Sequence, residues 1–125
     1  MRRRRRTRPQ DGTGQPSVPA VMRDQVAALI RHRGHAMPWA ARSALVEAHG
    51  YLTIPAPSHL PGGPDGRLDE KETTREAVTR IRCRLLALID PTTGCTSDGS
   101  DPYAIGFAAG QLNQALHELD PMPAA

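Results

Sequence analysis

Aromatic residues are scarce in this chain of 125 residues: one Trp, one Phe and two Tyr. Large aliphatic residues are few as well. Val, Ile, Leu and Phe together make 22 of the 125, just under the share of about 20% below which disorder is the usual reading when net charge is high. Net charge is only +3, so the composition predicts a folded body with a thin core, one that a partner or second copy helps to complete. Lysine is nearly absent: fifteen of the sixteen basic residues are Arg, and the exception is Lys71. Arg, Ala, Gly and Pro dominate, the usage a GC-rich coding sequence gives, so the Arg-for-Lys bias alone is no sign of selection for phosphate contacts. With only Cys83 and Cys95, a disulfide scaffold is excluded. No run approaches the roughly 20 apolar residues that span a bilayer. The N-terminal arginines lack the apolar stretch that would make them a secretory signal. The expected location is cytoplasmic, with no membrane contact.

Charge is placed unevenly. The chain opens "MRRRRRTR", with six arginines and no acid. Residues 9–125 carry ten basic residues against thirteen acidic ones, a formal −3. The basic character therefore belongs to the opening segment, and any long-range attraction to phosphate must act through it. Residues 1–17 read as a disordered arm, charged and then Gly/Pro-rich.

The remainder predicts an all-α fold of about four helices. Residues 18–54 form a two-helix segment. In the first helix Pro19 suits the opening turn, and Val18, Val21, Met22, Val26, Leu29 and Ile30 recur at helical spacing on one face. Arg31, His32 and Arg33 fill its last turn, and Gly34 is expected as a left-handed cap. The second helix, "PWAARSALVEAH", is expected to stop at Gly50 and to carry Trp39, Arg42, Leu45, Val46 and His49 on one mixed face, with Tyr51–Ile54 as a short strand. Residues 55–67 form a Pro/Gly-rich linker or loop.

Residues 68–120 are expected to form an antiparallel helical hairpin, followed by a flexible tail at 121–125. The third helix is read as starting from a capping box of Asp69 and Glu72, with Val78, Ile81, Leu85, Leu88 and Ile89 as its seam and Pro91 as its stop. In the fourth, Asp101 caps, Pro102 starts, and Ile105, Ala108, Ala109, Leu112, Ala115, Leu116 and Leu119 share one face. Pro121 forbids continuation.

No enzymatic signature is present. Walker and dinucleotide glycine patterns are missing, and Asp69, Glu70 and Glu72 crowd a helix start, where they serve its dipole. "SDGSD" lacks the downstream acid of a calcium loop. His32, His35, His49, His59 and His117 are scattered, and the cysteines lack finger spacing, so neither metal nor cofactor is expected. The order helix, turn, helix, extended segment is loosely that of winged-helix proteins, but one helix too few precedes the turn.

Two candidate functions remain. The first is a small non-enzymatic accessory or regulatory protein that touches nucleic acid through Arg2, Arg3, Arg4, Arg5, Arg6 and Arg8. The second is a protein-interaction module, homodimeric or partner-binding, built on Tyr103, Gly106, Phe107 and Gly110 opposite the apolar face of the fourth helix. Two glycines inside a helix cost about 1 kcal/mol each relative to Ala. They predict close approach by another backbone, from helices one and two of the same chain or from a second molecule.

Overall fold

The computed structural model describes residues 17–57 and 59–119. The arginine arm, with all six of its site residues, lies outside them, as does the C-terminal tail. Among the described residues there are four α-helices: α1 Val18–Arg33, α2 Trp39–Leu52, α3 Thr74–Leu86 and α4 Pro102–Leu119. Their only β feature is an isolated antiparallel bridge between Ile89 and Thr96. The fold is all-α. No helix is long and apolar enough to cross a membrane among the described residues.

One hydrophobic core joins all four helices. Met22, Val26 and Leu29 from α1 meet Leu45 and Leu52 from α2, Val78, Ile81 and Leu85 from α3, and Ile105 and Leu112 from α4. Helices α3 and α4 pack on each other, an arrangement compatible with a hairpin, but the most extensive helix contact is α2 on α4. Alanine explains it. α2 buries Ala41, Ala44 and Ala48, and α4 buries Ala104, Ala108, Ala109 and Ala115. Methyl groups this small let two helices lie closer than leucines would. Of the mixed face expected for α2, only Leu45 is buried. Trp39 is 79% exposed and Val46 is exposed, while the alanine stripe with Leu45 and Leu52 turns inward.

Local boundaries follow from which polar groups find partners. Ser17 Oγ accepts from the Ala20 amide at 3.2 Å and caps α1, with Pro19 in the first turn. Gly34 is not a left-handed cap. Its φ is −60° and it opens a short 3-10 turn, Gly34–Ala36. A Cβ there would stand 2.9 Å from Arg42 Nε, the far end of an exposed and flexible side chain. Gly50 does not end α2 either. The helix runs on to Leu52, and the expected strand at Tyr51–Ile54 is a helix end and turn. A right-handed glycine costs only about 1 kcal/mol, which burial of Leu52 offsets at about 1.5–3 kcal/mol.

Two overlapping sequences fit a capping box before α3, and the later one forms it. Thr73 Oγ1 accepts from the Glu76 amide at 3.1 Å, and the Thr73 amide donates to Glu76 Oε1 at 2.9 Å. Glu72 is unavailable as a cap because Arg80 donates to both its oxygens at 2.8 Å. Asp69 Oδ1 instead accepts from the Lys71 amide. α3 also stops earlier than expected. Leu88 and Ile89 leave the helix to pair backbone with the 95–97 strand-like turn, through Ser97 N to Leu88 O and Asp90 N to Cys95 O. Asp101 Oδ1 accepts from the Tyr103 amide at 2.9 Å and caps α4.

The Pro/Gly-rich segment after α2 is held against α1 by three consecutive side chains. Arg23 is 4% exposed. Its Nη1 donates to the carbonyls of Ala56 and Pro57, both at 2.6 Å, and its Nη2 to that of Leu60. Asp24 accepts from Arg23 through Oδ1 and from the Gly62 amide through Oδ2, each at 2.6 Å. Gln25 donates to the Asp65 carbonyl and accepts from Arg80, again at 2.6 Å. Glycine is required where the loop crosses the helix. A Cβ on Gly62 would stand 2.6 Å from Asp24 Oδ2, and one on Gly66 would stand 2.8 Å from Asp24 Cβ.

Candidate functional site

The fourth helix buries one side and leaves the other bare. Ile105, Ala108, Ala109 and Leu112 face inward. Residues offset from them by about half a turn face out. Tyr103 is 76% exposed and Phe107 is 57% exposed. Between and beyond them lie Gly106 and Gly110, and a Cβ built on either meets nothing within 4 Å. Packing against α1 and α2 of the same chain therefore does not explain these glycines. The helix carries two residues that weaken it, and no part of the described chain uses the space they leave.

One neighbour joins this face from another element. The Tyr51 ring, at the end of α2, lies against Phe107 with centroids 5.3 Å apart and planes tilted by 33°, a favourable offset geometry. The continuation of α2 past Gly50 is what brings it there. Sequence reasoning missed Tyr51 because the glycine before it reads as a stop. The face is also uncharged: from Pro102 to Leu116 the helix has no Asp, Glu, Lys or Arg. What it offers is aromatic area, two bare stretches of backbone and no electrostatic preference.

The remaining candidates resolve into structural roles. Among the described residues no group of three His, Cys, Asp or Glu side chains is placed to hold a metal ion. Cys83 and Cys95 are exposed and unpaired. Asp98, in the "SDGSD" segment, hydrogen-bonds through its carboxylate to the amide and hydroxyl of Ser100, a local turn. Glu72 is held below the ordinary carboxylate range by its hydrogen bonds from Arg80. The winged-helix order fails, since among the described residues no wing strand follows α2. His49 is half-buried beside the Arg23–Asp24 pair. Burial pushes its imidazole below the ordinary histidine range, the Arg23 charge pushes it the same way, and Asp24 opposes.

Comparison of the chain with protein-family models, with curated proteins and with solved structures returned no match.

Proposed function

We propose that this chain is a small, non-enzymatic interaction module that pairs with a second copy of itself through the outer face of α4. The observation that carries this reading is the open space over Gly106 and Gly110 beside two exposed rings. A face with rings and notches on one helix is self-complementary about a two-fold axis: the rings of one copy fill the notches of the other. Charge favours the same occupant. Residues 9–125 carry a formal −3, so two copies repel in general, and an uncharged helix face is where they meet at least cost.

Area sets the strength. At about 200 Å² per aromatic side chain, the exposed parts of Tyr103 and Phe107 amount to roughly 270 Å² per copy. A standard interface buries about 800 Å² per partner. Even with flanking surface, the pairing belongs to the weak, concentration-dependent class. Sedimentation equilibrium of the full chain tests this. The expected result is a rising mass with concentration, abolished in Gly106→Leu/Gly110→Leu with the thermal melt of the monomer no lower than that of the parent. A chain that stays monomeric at millimolar concentration overturns the reading.

A second reading rests on the six arginines of residues 2–8: the arm lies along nucleic-acid phosphates while the helical body serves as the accessory or regulatory part. Six contacts give a slope of about −5 in log K against log salt on duplex DNA. Deleting residues 2–8 is expected to remove binding at low salt; unchanged binding refutes it.

A further inference from the structure

We infer that the cleft between the end of α1 and residues 66–70 is a binding site for a small oxyanion, such as an organic phosphate or a dicarboxylate. The cleft has a volume of about 560 Å³, within the usual range of small-molecule sites. Arg31 and Arg33 enter it from the last turn of α1, and Arg67 enters from the opposite wall. Three arginines from segments more than thirty residues apart thus line one cleft, and Glu70 is the one acid in that lining.

What sets these arginines apart from other exposed ones whose side chains also lack a partner among the described residues, Arg42 and Arg84, is that they line one cleft together. Arg33 spends its donors on uncharged groups: the Glu72 carbonyl at 2.7 Å, the Asp69 carbonyl at 3.3 Å and the Thr74 hydroxyl. Arg31 and Arg67 are exposed, and their side chains make no hydrogen bond or ion pair among the described residues. Glu72 is paired with Arg80, Asp69 keeps its charge but lies outside the cleft lining, and within that lining Glu70 is the one acid against three arginines. Positive charge in the cleft therefore exceeds the negative charge able to answer it.

The walls are also fixed in advance. Arg33 ties the 69–72 wall to α1, and Gln25 ties Asp65 to the same helix at 2.6 Å. A ligand does not have to order the loop, which removes one of the usual costs of binding. Guanidinium forks grip phosphate or carboxylate oxygens in pairs. The carbonyl end of α1 disfavours an anion at the backbone, so the charged head is assigned to the outer ends of Arg31 and Arg67. The floor is apolar, made by buried Ala28 and half-buried Leu68, and suits a small organic body.

Calorimetric titration of the full chain with inorganic phosphate, phenyl phosphate, succinate and a 20-base-pair DNA duplex tests the site. The expected result is saturable binding of one of the three small anions, weakened at least tenfold in Arg31→Gln/Arg67→Gln. Arg84→Gln, an exposed control on α3, is expected to bind as the parent does. Phosphate or phenyl phosphate binding alone assigns a phosphate ligand, and succinate binding alone assigns a carboxylate. Non-saturable heats, an equal loss in the control, or binding of the duplex without any small anion overturns the assignment. Unchanged far-UV circular dichroism of the double variant separates loss of the site from loss of the fold.

Discussion

Replacing Arg23 by Met removes a buried charge while keeping side-chain length, and the structure sets the cost. Five hydrogen bonds disappear: three to the carbonyls of Ala56, Pro57 and Leu60 and two to Asp24 Oδ1. Bonds to a charged group are worth about 1.5–3 kcal/mol each when deleted singly. Their sum overstates the loss, because the freed carbonyls can turn toward water once residues 54–62 lift from α1. Removing one member of a fully buried ion pair costs about 3–5 kcal/mol; Asp24 keeps a third of its side chain in solvent, so the expected destabilisation is at the low end, about 3 kcal/mol. Domains of this size hold about 5–15 kcal/mol in total, so the variant stands near the edge of folding. Urea denaturation followed by far-UV circular dichroism measures it; Trp39, 79% exposed, is a poor fluorescence reporter of the core. Limited proteolysis should cut first within 54–63. Arg23→Lys should recover little, since an ammonium cannot span three carbonyls and a carboxylate at once. A loss below about 1 kcal/mol, with the loop still protected, would show that apolar packing holds the segment and would refute the role given to the guanidinium.

Three more outcomes follow from the same structure. Gly62→Ala and Gly66→Ala should each destabilise by about 1–3 kcal/mol, because the added methyl meets Asp24. Gly106→Ala and Gly110→Ala should each raise monomer stability by up to about 1 kcal/mol, since open space receives the methyl; thermal melts at low concentration distinguish the two pairs. For pH, the lowered His49 pKa means the unfolded chain takes up the proton first. Its contribution to stability is whole above about pH 6.5 and is lost as pH falls from there toward the lowered folded value. His49→Gln should flatten the stability profile over that window, as urea midpoints between pH 7.5 and 5 would record.

Much of α1 and α4 was legible because their buried residues recur at helical spacing and polar groups mark their starts. α2 was harder. Its inward stripe is alanine, which a search for large apolar side chains passes over, so Trp39 and Val46 drew the face to the wrong side. Gly50 reads as a stop only if nothing beyond it is worth burying, and Leu52 is buried. Asp69–Glu72 and Thr73–Glu76 are equivalent as patterns. Arg80, eight residues beyond Glu72, chooses between them, and local sequence does not reveal that choice. The outward glycines and rings of α4 were legible from their spacing, whereas Tyr51 was not, since its place depends on where α2 ends. The cleft arginines were visible only as charge, because convergence of Arg31 and Arg67 is a product of the loop's path.

The alanine seam between α2 and α4 bears on how so lean a sequence folds at all. An alanine gives up no rotamer freedom when it is enclosed, whereas a leucine forfeits about 0.5–1 kcal/mol of it. A domain built on methyl contacts thus gains less from each enclosed group but also forgoes less, and main chain drawn near main chain supplies dispersion that bulky residues would otherwise provide. The same economy makes the seam unforgiving: an extra methylene at these enclosed alanines must force apart two closely packed helices or their leucine neighbours.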